Sequence, residues 1–334
     1  MAIAPQIDGR DETIDIAKAI LIVLMLIGHQ RVGQRLNQMI YSFHMMAFVF
    51  FAGYCFKPVA RENLKNAIGK RCRTLLLPYF MWGVGYILLN HYGVFSELKT
   101  VLGAVSFTKT LFTDIPSVGP VYFIPMLFVI WITYVFIRNC GIGEKKYAIH
   151  AIVLCISLVG GLLGKLGYWL PWSIDCAWYA LVFYHIGYCF KKYRVLENIC
   201  CRYYLYFPLA IVWMYMMFSG GMELATRTYG TYSITLLGAI SATVILYMLC
   251  GYLYRNLNSK LRVALTLIGR NTLYILLFHT LLGAYVGTWL SELVTPGYIY
   301  HFAALVVFQL VGGVALGVAV EGINKWMLKT IRLR

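Results

Sequence analysis

The chain has 334 residues, of which 60% are hydrophobic and only 13% charged, and its mean hydropathy is +0.71. A soluble domain of this length carries roughly a quarter charged residues, so that class is excluded; apolar stretches of about 17 to 25 residues, long enough to cross a bilayer, recur along the chain. The net charge of +16 would suit a nucleic-acid partner, but the cations fall mostly in short loops between apolar stretches, where membrane orientation and anionic lipid account for them, and no nucleic acid is expected.

Hydropathy, Pro/Gly punctuation and charge runs predict an all-α polytopic transmembrane bundle, one domain over residues 1–334 with no separate soluble domain. The expected spans, about ten in number, lie at 13–30, 40–56, 74–90, 119–137, 147–164, 170–190, 203–219, 232–254, 264–287 and 301–324. Twenty-one Lys and Arg residues fall on the side of the termini and six on the other. The positive-inside rule therefore makes both termini cytoplasmic. No short apolar region with a small-residue cleavage site precedes span 1, so an uncleaved first span is expected.

Span 1 carries Asp15 and Lys18 near its inner end and His29 at its outer end, in LMLIGHQRVG. Fourteen residues separate Asp15 from His29, roughly 21 Å at helical rise, so Asp15 is too far away to orient the histidine. Asp15 and Lys18 are an i, i+3 pair, read either as a plain ion pair or as one wall of a cytoplasmic binding site. Span 2, MIYSFHMMAFVFFAGYCF, places His44 near its outer end. The basic cluster KRCR puts Lys70, Arg71 and Arg73 before span 3, as Arg10 stands before span 1. These cations read as orientation signals or as phosphate clamps, the latter suited to bidentate Arg. In the segment 91–118, Phe95, Leu98, Val101, Leu102 and Val105 have helical spacing and predict an amphipathic helix on the outer surface. The nine cysteines show no CxxC or Cys/His ligand spacing; they read as buried apolar residues, and no metal is expected. Span 9, IGRNTLYILLFHT, enters with Arg270 and reaches His279 nine residues later. Three histidines at one outer depth point to a site, because ionisable groups inside a membrane are costly. A ligand with phosphates at the basic rim and a long thin arm toward the histidines has the shape of an acyl-coenzyme A.

RDETIDIAK at 10–18, GH at 28–29, FHMMAFVFFAGY at 43–54, the basic cluster running into TLLLPYF, VYFIPML at 121–127, LPWSIDCAWYALVFYHIGY at 170–188 and IGRNTLYILLFH at 268–279 together resemble the acyltransferase 3 family of integral membrane acyltransferases. The last two blocks resemble its fucose 4-O-acetylase-like branch. The resemblance runs in order along almost the whole chain. It implies transfer of an acyl group, usually acetyl, from cytoplasmic acyl-coenzyme A to an extracytoplasmic hydroxyl, most often of a cell-envelope sugar, in the bacterial cytoplasmic membrane. The family's essential His falls on His29, its N-terminal Arg on Arg10, its FHMP block on His44, and its GRxSxxxYxxH block on Arg270, Tyr274 and His279. The family's paired arginines correspond to Lys70 with Arg73 or to Arg71 with Arg73; its WFL block reads Tyr122, Phe123 and Ile124, and FHMP reads FHMM.

On this reading His29 is the general base, His44, His279 and Tyr274 are donors to the oxyanion, and Arg10, Asp15, Lys18, Lys70, Arg71, Arg73 and Arg270 hold the acyl-CoA. Asp175 either contacts sugar hydroxyls or orients a histidine, or caps a helix. Trp172, Trp178 and Tyr179 form a sugar platform or an interfacial aromatic belt. Glu223 and Arg227 are acceptor contacts. The partners are acyl-CoA, a carbohydrate or glycolipid acceptor, membrane lipids and, in a homo-oligomer, a second copy of the chain. The rival class is a multi-pass transporter or flippase of a small molecule or lipid-linked sugar, whose intramembrane ionisable residues would form a pathway.

Overall fold

A computed structural model describes residues 11–30, 33–89, 93–106, 116–140, 147–199, 202–219, 222–281 and 298–332, with side chains of the last segment described over 302–323. Helix α1 (Glu12–Gly28) starts where Asp11 accepts the amide of Thr13 at 3.0 Å, and Glu12 and Asp15 lie in its first turn, so side-chain capping and the helix dipole both favour initiation there. After α1 come α2 (Gln34–Tyr41), α3 (His44–Tyr54), α4 (Arg61–Leu89), α5 (Val94–Gly103), α6 (Gly119–Asn139), α7 (Ala148–Lys165) and α8 (Ile174–Lys192). They are followed by α9 (Tyr203–Phe218), α10 (Tyr232–Asn256), α11 (Ser259–Arg270), α12 (Thr272–Leu281) and α13 (Tyr298–Arg332). The described residues form no strand; two isolated bridges, Val105 with Ser117 and Glu223 with Thr228, tie loops.

The chain divides into two compact units, one of residues up to Gly33 and from Leu249 onward, the other of Gln34–Met248. In the first, α1 packs on α11, and their backbones meet where Gly269 lies against the carbonyl of Asp15, a gap that a Cβ would fill. Gly312, Gly313 and Gly317 on α13 receive Phe278, Ile275 and Asn271 in the same way. Small residues substitute here for the hydrophobic drive that lipid cannot supply between helices. In the second unit α8 is the hub, packed on α3, α6 and α7. Gly53 faces the carbonyl of Tyr184 while Gly187 faces that of Phe50, so α3 and α8 approach through reciprocal glycines. Phe50, Phe51, Tyr54, Tyr134, Phe183 and Tyr184 fill the core around them.

Among the described residues helix occurs at each expected span, with two interruptions. The span at 40–56 is two helices, broken at Ser42 and Phe43, where the Ser42 hydroxyl donates to the Met39 carbonyl (2.7 Å) and accepts the Trp213 indole (2.9 Å). The span at 264–287 bends by 68° between α11 and α12, at Asn271. Among the described residues five helices are long and apolar enough to cross a membrane by length and composition, α4, α6, α7, α10 and Phe302–Ile323 of α13; the bent pair makes a sixth when taken as one span. The helix expected in 91–118 forms as α5: Glu97, Thr100 and Val101 are buried, whereas Phe95, Leu98 and Leu102 are exposed.

Candidate active site

In the first unit the two ends of α1 carry two different clusters. At its C-terminal end the rings of His29 and His279 stack, with centroids 5.4 Å apart and planes 21° from parallel. His29 is exposed and His279 is buried. The His279 Nδ1 lies 2.7 Å from the carbonyl of Leu276. A carbonyl only accepts, so this nitrogen carries the proton and a neutral ring keeps its lone pair on Nε2. Tyr274, half-buried, lies five residues earlier on α12.

At the other end of α1 the buried carboxylate of Asp15 holds two cations. Lys18 Nζ lies 2.9 Å from Oδ1 and Arg270 Nε 3.6 Å from Oδ2. Both cations keep exposed surface, 24% and 48% of their side chains, while Asp15 keeps 3%. Asp15 is therefore the fixed member, and the cations retain protons for an outside ligand. Arg10 lies outside the described residues.

In the second unit the basic rim resolves into unlike members. Residues Cys72–Leu76 form a π-helical turn inside α4, which shifts the register of side chains around the helix. Lys70 and Arg73 are exposed, whereas Arg71 turns inward over Trp131, 5.7 Å from the ring centroid, and its Nε is buried without a hydrogen-bond partner among the described residues. His44 is buried at the start of α3, its Nδ1 2.8 Å from the Ile40 carbonyl and its ring edge-on to Tyr41. By the tautomer argument that applies to His279, neutral His44 also presents a lone pair on Nε2, and donation to an oxyanion requires the imidazolium form.

Asp175 lies in the first turn of α8, fully buried, and is engaged on both oxygens. Oδ2 accepts Arg227 Nε at 2.8 Å; Oδ1 accepts Arg227 NH2 at 3.3 Å and the Leu170 amide at 3.1 Å. The helix N-cap is Ser173, not Asp175. The Arg227 guanidinium also donates to the Ser106 hydroxyl and the Ala225 carbonyl and lies over Trp169, 4.3 Å from the ring centroid. Burial opposes its charge, but Cys176 and the hydrogen-bonded carboxylate of Asp175 hold the Arg227 pKa above its ordinary value. Tyr229, stacked on Tyr179 at 3.8 Å, has its phenol pushed far up by burial and by Cys176 and Asp175. Glu223 is half-buried and acts electrostatically on Tyr41 and Tyr122. The Tyr122 hydroxyl is buried without a hydrogen-bond partner among the described residues. Trp178 lines an open groove with Phe136, Ile137, Cys155, Ile156 and Val159, an apolar setting that suits lipid contact.

A further cluster was not anticipated from the sequence: His150 Nδ1 lies 2.8 Å from His185 Nε2, and Cys189 Sγ lies 3.6 Å from that nitrogen. The His185 and Cys189 half is an i, i+4 pair visible in YHIGYCF; His150 joins it only through the packing of α7 on α8. All seven described cysteines are free.

A family model described as an acyltransferase domain matches residues 11–320. The nodulation protein NolL of Mesorhizobium japonicum is 33% identical over 87 residues, covering 22% of this chain and 23% of that protein. NolL of Sinorhizobium fredii is 34% identical over 87 residues, covering 22% and 24%. The chain thus matches less than a quarter of the length of these curated relatives. No solved structure matches.

Proposed function

The chain belongs to the acyltransferase 3 family of membrane acyltransferases, and from that premise we propose that it moves an acetyl group from cytoplasmic acetyl-CoA to a hydroxyl of an extracytoplasmic cell-envelope carbohydrate, in a bacterial cytoplasmic membrane that it crosses about ten times. The observation that carries this reading is the pair of clusters on α1. The stacked histidines and the Asp15, Lys18 and Arg270 group stand at opposite ends of one helix, roughly 21 Å apart along it. Such a span suits a donor that is charged at one end and reactive at the other.

His29 takes the proton of the acceptor hydroxyl as its oxygen attacks the thioester carbonyl. The carbon–sulfur bond breaks, the ester forms, and the proton passes to the departing coenzyme A thiolate. His279 holds the His29 ring by stacking, which makes it a positioning residue. Tyr274 supplies a hydroxyl donor for the oxyanion. Lys18 and Arg270 bind donor phosphate, held in place by Asp15. The fucose 4-O-acetylase-like branch is the part of this reading that points to a sugar hydroxyl as acceptor.

Purified protein supplied with labelled acetyl-CoA and envelope glycan tests it. His29→Ala is expected to lower the rate of labelled ester formation by about 10² to 10⁴, with Lys18→Ala raising KM for acetyl-CoA. A wild-type rate in His29→Ala removes the base assignment, and no consumption of acetyl-CoA by the wild type removes the reaction. The 68° bend at Asn271 favours a second reading, a transporter or flippase, since discontinuous helices line transport sites. Uptake of glycan into sealed vesicles without ester formation is its signature.

A further inference from the structure

Helices α7 and α8 bring together three side chains that acyl transfer does not use. His150 stands in the first turn of α7, and His185 and Cys189 lie one turn apart near the end of α8 that carries Lys191 and Lys192. One ligand atom from each lies within 4.8 Å of the other two. The plain alternative is a hydrogen-bonded histidine pair with a neighbouring thiol, because the 2.8 Å between His150 Nδ1 and His185 Nε2 is an ordinary hydrogen bond.

Three observations carry the cluster further. The ligand atoms are two imidazole nitrogens and a sulfur, a set that selects zinc and similar transition metals over calcium or magnesium, which take oxygen. Two of the three spacings are close to those of a tetrahedral site. Bonds of about 2.0–2.1 Å to nitrogen and 2.3 Å to sulfur place nitrogen and sulfur about 3.6 Å apart and two nitrogens about 3.3 Å apart. The sulfur already stands 3.6 Å from His185 Nε2; the two rings need to part by about half an ångström, and the His150 nitrogen and the Cys189 sulfur, which lie within 4.8 Å of each other, need to close toward about 3.6 Å at tetrahedral geometry. His150 is exposed, free to make that movement, and leaves a path for an ion to enter. Finally, the other nitrogen of His185, Nδ1, lies 2.8 Å from the hydroxyl of the fully buried Tyr134. A metal-binding imidazole commonly has such an outer partner, which fixes its tautomer and aims the free nitrogen.

We propose that His150, His185 and Cys189 bind a zinc-type divalent transition-metal ion, with a fourth position open to water or another exchangeable ligand. Binding takes the Cys189 thiol proton into solvent and uses the lone pairs of both imidazoles. The proton between the two rings moves to a nitrogen that does not bind metal, and no electron is transferred. The ion clips α7 to α8, independently of the acyl-transfer reading.

Titration of the full purified chain in detergent with Co(II) tests the site. Expected are equimolar binding, a thiolate-to-cobalt charge-transfer band in the near-ultraviolet, visible bands of four-coordinate cobalt, and displacement of both by zinc. Cys189→Ser is expected to lose the charge-transfer band. His150→Ala, at an exposed position that leaves the fold intact, is expected to weaken cobalt binding at least about tenfold, or 1.4 kcal/mol. Tyr134→Phe is expected to weaken it by about 10–100-fold while keeping the band. A wild-type chain that elutes as a folded species and shows no thiolate band at equimolar cobalt overturns the proposal. So does a band that survives in Cys189→Ser, which would assign the metal to another of the chain's thiols, or unchanged affinity in His150→Ala. Loss of acetyl transfer with an intact cobalt spectrum refutes the enzymatic reading alone.

Discussion

Asp175 and Arg227 show how much a single buried pair can decide. Their side chains are 0% and 1% exposed, so each charge depends on the other for the solvation it lost on folding. Asp175→Asn leaves the guanidinium uncompensated, and removal of one partner from such a pair typically costs about 3–5 kcal/mol. Thermal unfolding in detergent is expected to show that loss, and the double variant Asp175→Leu with Arg227→Met to recover much of it. Equal destabilisation in single and double variants would mean that the pair matters through shape instead of charge. The pair was not legible in the sequence, because 52 residues separate its members and only the packing of the 222–230 loop against the start of α8 joins them. Asp15 and Lys18 were legible, since i, i+3 spacing on a helix makes contact nearly automatic. The tautomers of His44 and His279 lie between these cases. The rings are evident in the sequence, but the carbonyls of Ile40 and Leu276 that fix the proton belong to local backbone geometry.

At the scale of elements, glycine has opposite meanings at different places. A Cβ on Gly187 would collide with the Phe50 carbonyl, whereas one on Gly69 would meet nothing within 4 Å. Gly187→Ala is therefore expected to push α8 from α3 and lower the unfolding temperature. Gly69→Ala, at a half-buried helical position with open space for a Cβ, is expected to raise stability by roughly 0.5–1 kcal/mol through its smaller loss of chain entropy. Melting curves of the two variants check the contrast, and similar shifts in both would remove the close-approach argument. The π-helical turn at Cys72–Leu76 explains why the sequence left Lys70, Arg71 and Arg73 open: ideal helical spacing has no extra residue, so it could not say which cation turns inward. α5 was legible as a helix, but not which of its residues turn toward the protein. Its apolar residues were expected to share one face, yet Val101 goes inward beside Glu97 and Thr100, while Phe95, Leu98 and Leu102 face out. That arrangement suits a helix whose outer side touches lipid.

At the scale of the whole molecule, the orientation expected from the cations is open to direct measurement. With Thr228 and Glu62 both exposed, Thr228→Cys is expected to react with an impermeant maleimide from outside intact cells, and Glu62→Cys only after lysis. The reverse pattern would invert the topology. The sequence by itself determined the all-helical membrane class, the helical segments and the residues that carry charge into them, because hydropathy, helical period and the cost of a buried charge are local quantities. Tertiary structure alone decided which of these residues meet. The stacking of His29 on His279, the sharing of Asp15 between Lys18 and Arg270, the inward turn of Arg71 and the gathering of His150, His185 and Cys189 each depend on how close two backbones come or how a helix turns. That closeness is set by glycines, bends and bulges whose effect exists only when a second helix is present.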